Sequence, residues 1–286
     1  MCIAARRIPR GKLILREKLL FSVESLEEAD IKAAVDTLSV GHRVKFYRLA
    51  SASGLRDALS IFETNGFRLH SAAYDDLPAE LQKARKVGEH GLFLQASRLN
   101  HSSKPNACFN WNPLSEQLTI RALRVIEKGE EITLDYLVDT QLAPPEERYE
   151  ELGHYELPHE ELDCFSEEDN AKRSHLRSIP ERVREAIANN PQAENPVEGL
   201  LGDLEAPESV YPSQADICEE AKTIYWEKCD RVPKSQICEM KRRALQFGEK
   251  ALEQHILATS EDSCETMLAV QRLNEIRAIE TAGIKH

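Results

Sequence analysis

The chain has 286 residues, a formal net charge of −12, 41% hydrophobic residues and 30% charged residues. This composition is typical of a globular protein and excludes a collagen-like, an entirely coiled-coil or a wholly disordered chain. No apolar run reaches about 18 residues, which a membrane-spanning helix needs, and residues 1–10 lack the apolar core of a signal peptide. We therefore expect no membrane span and no secretion.

The seven cysteines are scattered along the chain, and none forms a C-x-x-C pair. An odd number of dispersed cysteines indicates free thiols in a reducing compartment, so we expect a cytoplasmic and/or nuclear protein. The charge is uneven, because residues 1–150 carry no net charge and the whole acidic excess lies in residues 151–286. An acidic second half argues against nucleic-acid binding, and we expect no nucleic-acid partner.

The first half of the chain alternates strand-like and helical segments. Runs of β-prone residues bounded by turn residues predict strands at 12–17, 108–112, 117–122 and 131–136. Apolar residues at helical spacing predict helices at 25–38, 43–50 and 55–62. Ser25 is the expected N-cap of the first helix, with Glu28 three positions on. Short strands interleaved with short helices indicate a β-rich α+β domain.

The second half is predicted to become helical after a long irregular stretch. Residues 141–180 are acidic and contain adjacent prolines, and we expect them to be irregular. Residues 181–212 include a run rich in Pro and Gly that predicts a linker. Apolar spacing then predicts helices at 213–229, 233–257 and 260–279. Three such helices form a bundle or a repeat-like array, and the lack of clear self-similarity favours the bundle.

Two short motifs contain the residues best suited to chemistry. The first runs from Arg98 to Asn106 and places an amide, Asn100, beside an imidazole, His101. The second ends at Tyr136, whose phenol we expect to project from a strand end into a cleft. Taken alone, an Asn-His pair is usually part of a turn, and a strand-end tyrosine usually covers a core edge. Together and in this order they are far more specific, and no hydrolase triad, phosphate loop or H-E-x-x-H pair competes with them.

These motifs resemble the signature of the SET-domain family of protein-lysine methyltransferases, which is R-x-x-N-H-S-C-x-P-N, a strand hairpin and G-E-E-[IL]-x-x-x-Y. The chain matches it at Asn100, His101, Ser102, Pro105, Asn106, Gly129, Glu130, Glu131 and Tyr136, with Arg98 one position closer to Asn100 than the pattern has its arginine. Residues 4–14 resemble the family's opening strand pair, and residues 61–67 resemble the asparagine-bearing segment of its insert. The resemblance implies a SET domain over 1–140 with a helical insert at about 25–90. It is closest to stand-alone SET proteins with a helical C-terminal region, a type frequent in fungi.

The resemblance implies methyl transfer from S-adenosylmethionine to the amine of a lysine in a protein substrate. Asn100 and His101 would hold the cofactor, and Asn65 would contact its amino-acid or ribose end. Tyr136 would bind the cofactor and act as the catalytic residue at the lysine channel. In-line displacement depends mostly on orientation, because the amine, the methyl carbon and the sulfur must be collinear. A desolvated channel beside a cationic sulfonium favours the neutral amine that the reaction needs.

Three departures from the family pattern bear on activity. The family's G-x-G turn precedes the opening strand pair, whereas this sequence starts there with Met-Cys-Ile, so we expect weakened cofactor binding. Ser103 replaces the cysteine that often follows Asn-His-Ser. Relatives also carry a C-x-C-x-x-C run after the tyrosine, and with the earlier cysteine it forms a zinc site. The matching region here retains only Cys164.

We therefore interpret residues 141–180 as a degenerate post-SET segment and expect no zinc and no other metal. One alternative set of ligands is left in that region, namely His154, His159, Glu161 and Cys164.

Two functional hypotheses stay open. The first is an active lysine methyltransferase that closes its channel without zinc, through Tyr155 and the C-terminal helices. The second is a catalytically degenerate SET protein whose domain and helical region form a protein-interaction module. Intact Asn100, His101 and Tyr136 favour the first hypothesis, and the absent turn and thiolates favour the second. The sequence indicates neither the target lysine, nor the degree of methylation, nor the oligomeric state.

Overall fold

A computed structural model describes residues 1–69, 76–77, 79, 88–137, 140–155, 157, 167–189, 213–230, 233–259 and 261–283. Its strands are β1 (Leu13–Lys18), β2 (Phe21–Val23), β3 (Gly66–Arg68), β4 (His90–Leu92), β5 (Asn100–His101), β6 (Ala107–Asn112), β7 (Gln117–Ala122) and β8 (Thr133–Leu134). Its α-helices are α1 (Glu28–Asp36), α2 (Val40–Phe46), α3 (Ala58–Asn65), α4 (Pro145–Leu152), α5 (Glu167–Asn189), α6 (Ser213–Lys228), α7 (Lys234–Ala258) and α8 (Cys264–Gly283). The α+β prediction is confirmed, with a β-rich part, an inserted group of helices and a helical C-terminal region.

The first sheet has the order β1-β7-β6 and is antiparallel throughout. The predicted hairpin is confirmed, because β6 and β7 pair from Asn112 opposite Gln117 to Ala107 opposite Ala122. Glu116, at φ 52°, takes the left-handed conformation that closes the turn. The sheet forms one wall of the core that contains the two motifs.

The second sheet, β2-β4-β3, carries the helical insert. Helices α1–α3 cover it with an aromatic core in which the Phe21 ring lies 5.9 Å from that of Phe46 and 5.4 Å from that of Phe62. Asp57 caps α3, since its carboxylate accepts the backbone N–H of Ser60 at 2.8 Å. This packing fixes the end of α3, where a predicted site residue lies.

The insert helices differ in detail from the prediction. Ser25 is not the N-cap of α1: the cap is Glu27, without a side-chain cap bond. The Ser25 hydroxyl instead accepts the Glu27 N–H and donates to Asp30, so it forms a local turn before the helix. The helices predicted at 43–50 and 55–62 are present as α2 and α3, the first beginning earlier and the second later.

The third sheet is the parallel pair β5-β8, and the N-terminal segment extends it on the other side. The Ala4 N–H donates to the Glu130 carbonyl and the Ile132 N–H donates to the Cys2 carbonyl, both at 2.8 Å. Ile132 and Leu134 are buried, which holds this stretch in the core between two neighbours far away in sequence. The strand predicted at 131–136 is therefore short and enclosed.

The prediction that residues 141–180 are irregular is wrong for α4 and for the first part of α5. Pro145 lies in the first turn of α4, where a missing N–H costs no helical hydrogen bond. Helix α5 continues through Pro180 and makes residues 181–189 helical. The rest of the predicted linker, residues 190–212, lies outside the described residues.

The three predicted C-terminal helices are confirmed as α6, α7 and α8. The Tyr225 and Phe247 rings stack at 5.8 Å between α6 and α7. Gly248 permits close packing of all three helices, because a Cβ there would lie 2.8 Å from the Leu273 side chain and 3.2 Å from that of Lys222. None of the helices in the described part of the chain combines the length and apolar character needed to cross a bilayer.

The end of α7 docks onto the first sheet. The Thr259 carbonyl accepts from the Arg121 Nε at 3.0 Å and the Thr119 hydroxyl at 3.3 Å, and the Asp262 carbonyl accepts from the Asn112 amide at 2.8 Å. Carbonyls at a helix C-terminus have no intrahelical donor and carry partial negative charge, which suits the arginine. The sheet thus supplies the C-terminal cap of α7 and holds the helical region against the domain.

Candidate functional site

The two motifs meet at the parallel pair β5-β8. His101 lies opposite Leu134, so Tyr136, two residues further on, lies beside the imidazole. The Tyr136 backbone N–H donates to His101 Nδ1 at 3.1 Å, and the two ring centroids are 5.2 Å apart. Two predicted site residues that are 35 positions apart are thus in direct contact.

The His101 side chain is fully buried and serves as a neutral hydrogen-bonding group. Burial removes solvation from the charged imidazolium and lowers the pKa of His101 to about 4. Because Nδ1 accepts the Tyr136 N–H, the ring proton is assigned to Nε2, which faces the Ser103 hydroxyl at 3.5 Å. The imidazole therefore orients the backbone at Tyr136 near neutral pH rather than carrying charge.

The Tyr136 side chain is half-buried and held at both ends. Its phenol donates to the Leu99 carbonyl at 2.7 Å, and its ring lies 4.8 Å from that of Tyr155. Burial, with a smaller effect of Glu151, raises the pKa of Tyr155, which keeps that phenol neutral. Tyr136 is thereby enclosed between an imidazole and a second phenol.

Asn100 is the exposed neighbour of the buried His101. Its amide nitrogen donates to Glu131 Oε1 at 2.8 Å, so the side chain reaches the segment just before β8. The Asn-His pair thus presents one residue to solvent and one to the core, as the alternation of an extended segment requires.

Asn65 reaches this region through one intermediate residue. It ends α3, and its amide nitrogen donates to the carbonyls of Ala50 and Ile61, each at 2.7 Å. Its own carbonyl accepts the Ser97 hydroxyl at 2.9 Å, in the turn that leads into Asn100. Both amide hydrogens of Asn65 are therefore committed, which leaves oxygen atoms for any ligand.

A model of the SET domain matches residues 1–137. This part of the chain is a SET domain.

Two curated proteins are similar to the chain. It is 28% identical over 186 residues to histone-lysine N-methyltransferase set5 of Schizosaccharomyces pombe, which covers 65% of this chain and 52% of that protein. It is 33% identical over 135 residues to histone-lysine N-methyltransferase SMYD3 of Homo sapiens, which covers 47% of this chain and 29% of that protein. The matched part thus spans about half the length of the first relative and less than a third of the second.

Asn106 is a structural residue of the SET domain, a role that its matched position in the motif did not predict. Its amide nitrogen donates to the Glu130 carboxylate at 3.0 Å and to the Glu131 carbonyl at 2.7 Å, and its oxygen accepts the Thr133 N–H at 2.9 Å. Glu130 is fixed in turn by Arg124, whose hydrogen bond is the main reason that its pKa falls to about 2. The matched Pro-Asn and Gly-Glu-Glu motifs are thus joined directly by side chains.

A buried charged cluster behind His101 was also not predicted. Asp135 Oδ1 lies 3.7 Å from His101 Nδ1, and desolvation raises the pKa of Asp135 to about 7. Arg148 and Arg173 are almost fully buried and both act electrostatically on Asp135. In the sequence these arginines stand among many acidic residues and read as ordinary solvated charges, so no signal distinguishes them.

The structure describes no cluster of three or more His, Cys, Asp or Glu side chains placed to hold a metal within its described residues. His159, Glu161 and Cys164 lie outside those residues, and so does the side chain of His154. The predicted alternative zinc site is therefore not tested. The replaced cysteine position, Ser103, faces His101 instead.

Proposed function

We propose that the SET domain transfers a methyl group from S-adenosylmethionine to the amine of a lysine in a protein. The observation that carries the proposal is the contact between His101 and Tyr136, which joins the two halves of the matched signature. The membership of residues 1–137 in the SET family supports it, as does the naming of both relatives as histone-lysine N-methyltransferases. A histone tail is accordingly the first substrate to test, and we propose a cytoplasmic and/or nuclear location.

The donor set of the site fits a cationic methyl donor. The Tyr136 phenol oxygen and the Leu99 carbonyl oxygen are 2.7 Å apart, and both carry lone pairs that attract positive charge. Asn100, exposed beside them, and the remaining oxygens of Asn65 suit the polar ends of the cofactor. Asn65, Asn100, His101 and Tyr136 are the residues that we propose hold it. When bound, S-adenosylmethionine supplies an activated methyl group and its own leaving group.

The protein's own contribution is orientation and exclusion of water. The Tyr136 phenol donates its hydrogen to Leu99, so toward an incoming lysine amine its oxygen acts as a hydrogen-bond acceptor. The ring of Tyr155 packs on Tyr136 and gives the site an apolar wall, and desolvation favours the neutral amine. His101 takes no proton, because its pKa is lowered to about 4 and its Nδ1 already accepts a hydrogen bond. The lysine proton therefore leaves to solvent before transfer.

Two measurements on the purified full chain test the proposal. Calorimetric titration with S-adenosylmethionine measures cofactor binding, and transfer of labelled methyl groups to histone tails and to a mixed protein extract measures activity. We expect both signals in the wild-type protein. Tyr136→Phe should lower turnover by about 100-fold, the usual effect of losing one positioned polar group in an active site, while the protein stays folded.

Tyr47→Phe is the matched control, because Tyr47 is an exposed residue at the end of α2 and should leave turnover unchanged. Wild-type turnover in Tyr136→Phe would remove that residue from the mechanism. Absence of both heat and methyl transfer in the wild-type chain would instead favour the second hypothesis, a catalytically degenerate SET protein that acts as an interaction module.

A further inference from the structure

The contact between His101 and Tyr136 is supported from behind by a carboxylate that lacks a complete set of partners. Asp135 is 7% exposed, and its Oδ1 accepts the Leu137 N–H at 3.0 Å. Its Oδ2 is buried and has no hydrogen-bond partner within the described part of the chain. A buried carboxylate of this kind is costly unless positive charge compensates it. The residues that face Asp135 must therefore supply positive charge.

Two arginines from the helices after the SET domain supply that positive charge. Arg148 of α4 is 1% exposed and Arg173 of α5 is 5% exposed, and both act on Asp135. Burial has the larger effect and raises the pKa of Asp135, and Glu151 of α4 adds to the rise. The groups that face Asp135 are thus two arginines, one further carboxylate and the neutral imidazole of His101.

Arg173 connects this cluster to the backbone that carries His101. Its Nη2 donates to the Ser103 carbonyl at 2.9 Å and its Nη1 donates to the Gln141 carbonyl at 2.7 Å. The two carbonyls belong to segments on either side of Tyr136 in sequence, one just after His101 and one in the stretch before α4. A planar guanidinium with diverging N–H groups can hold two such acceptors at fixed separation, which a lysine ammonium cannot do equally well.

The helices that carry the two arginines are themselves joined. Arg148 Nη2 donates to the Asn170 side-chain oxygen at 2.6 Å, which links α4 to α5. The position of the Arg173 backbone is therefore fixed by the link between α4 and α5. A chain of hydrogen bonds runs from α4 through α5 to the Ser103 backbone, and from the Ser103 hydroxyl to the His101 ring.

We propose that Arg173 is a positioning residue that fixes the segment from His101 to Ser103 and thereby holds Tyr136 in its working orientation. Helices α4 and α5 then close the SET domain through hydrogen bonds and buried charge. This inference deepens the proposed function and rests on it for its effect on turnover. Its structural part, the fixing of Tyr136 by Arg173, is measurable without any cofactor or substrate.

The test compares Arg173→Met with Arg173→Lys and with Arg177→Met in the full chain. Arg177 is exposed on the same helix one turn later, so its replacement is the matched control. Hydrogen–deuterium exchange is followed at the backbone amides of Tyr136 and Leu137 and, for comparison, at those of β7. In Arg173→Met we expect exchange at Tyr136 and Leu137 to rise by about 10-fold, the effect of losing hydrogen bonds to a charged group, while β7 stays protected.

The lysine variant separates charge from geometry. Arg173→Lys keeps the positive charge but holds fewer acceptors, so we expect about a 3-fold rise at the same two amides. If Arg173→Met fails to fold, the amides of β7 will lose their protection as well. In that case the exchange measured in Arg173→Lys tests the inference. Wild-type protection at Tyr136 in the folded Arg173 variants, or an equal rise in β7 and at Tyr136 in the lysine variant, would overturn the inference.

Turnover gives the second readout. Arg173→Met should lower kcat by about 10-fold and leave KM for the protein substrate nearly unchanged, because orientation at the reacting centre is lost rather than substrate binding. A change confined to KM would count against a positioning role. Failure of the wild-type chain to bind S-adenosylmethionine would defeat the proposed function and leave the exchange result standing. Normal methylation by the wild type, together with unchanged exchange in the Arg173 variants, would defeat this inference alone.

Discussion

Replacing Asn106 by alanine tests whether the two matched motifs are held together by a single side chain. The change removes the acceptor of the Thr133 N–H and the donor to the Glu131 carbonyl, and it also removes one of the donors to Glu130. A buried backbone group left without a partner costs about 1–3 kcal/mol. Two such groups, both partly buried, give an expected loss of about 2–4 kcal/mol in the free energy of unfolding.

The matched control lies in β6, the strand that begins directly after Asn106. Asn110 is an asparagine too, but its buried side-chain oxygen has no hydrogen-bond partner within the described residues. Asn110→Ala removes a desolvated group without leaving a backbone partner unsatisfied, so the free energy of unfolding should stay within about 1 kcal/mol of wild type. Urea unfolding followed by tryptophan fluorescence measures both variants, since Trp111 follows Asn110 directly in β6 and Trp226 reports on the helical region.

A loss below about 1 kcal/mol in Asn106→Ala, or an equal loss in both variants, would refute the reasoning. Asn106→Asp adds a further check, because it keeps the shape but removes both amide hydrogens and places a second carboxylate beside Glu130. We expect it to be at least as destabilising as the alanine variant at neutral pH.

Three further outcomes are expected. The pKa of Asp135 is raised from an ordinary 3.8 to about 7, so this group's contribution to the stability of the folded protein is fully present below pH 3.8 and is lost as the pH rises through 7. Thermal melts of Asp135→Asn should therefore show a smaller decline in stability over this pH range. The pKa of Glu130, lowered to about 2 chiefly by Arg124, gives stabilisation that is present above pH 4.5 and lost towards pH 2; melts of Glu130→Gln should lack this loss. A thiol reagent should label the exposed Cys238 in the folded protein and spare the buried Cys264, whose pKa is raised to about 12, as peptide mass spectrometry would report.

The sequence predicted those parts of the fold that rest on local pattern. The hairpin of β6 and β7 has alternating apolar residues and a turn, and the three C-terminal helices have apolar faces at helical spacing, so each was predicted close to its observed bounds. Strands β2, β3 and β4 were missed, because each has three residues and gains its stability from pairing with distant segments. The helices α4 and α5 were missed because acidic residues and prolines were taken as signs of irregular chain.

In the candidate site, too, local spacing predicted some residues, and others depend on the packing of distant segments. Asn100, His101 and Tyr136 were selected from their spacing, and the structure brings the last two into contact. The participation of Arg173 depends on a side chain that crosses 70 residues of sequence to reach Ser103. Nothing in the local sequence of an arginine states whether it will be buried, because burial is decided by the packing of segments far apart.

The docking of α7 on the first sheet also constrains the order of folding. The carbonyls that accept from Thr119 and Asn112 lie 140 and 150 residues further along the chain, so this face of the sheet stays uncovered until those residues have been synthesised. Contacts of such separation close slowly, and an exposed sheet face is prone to aggregate in the meantime. Chains that terminate before residue 259 would therefore depend on chaperones far more than the 286-residue chain does.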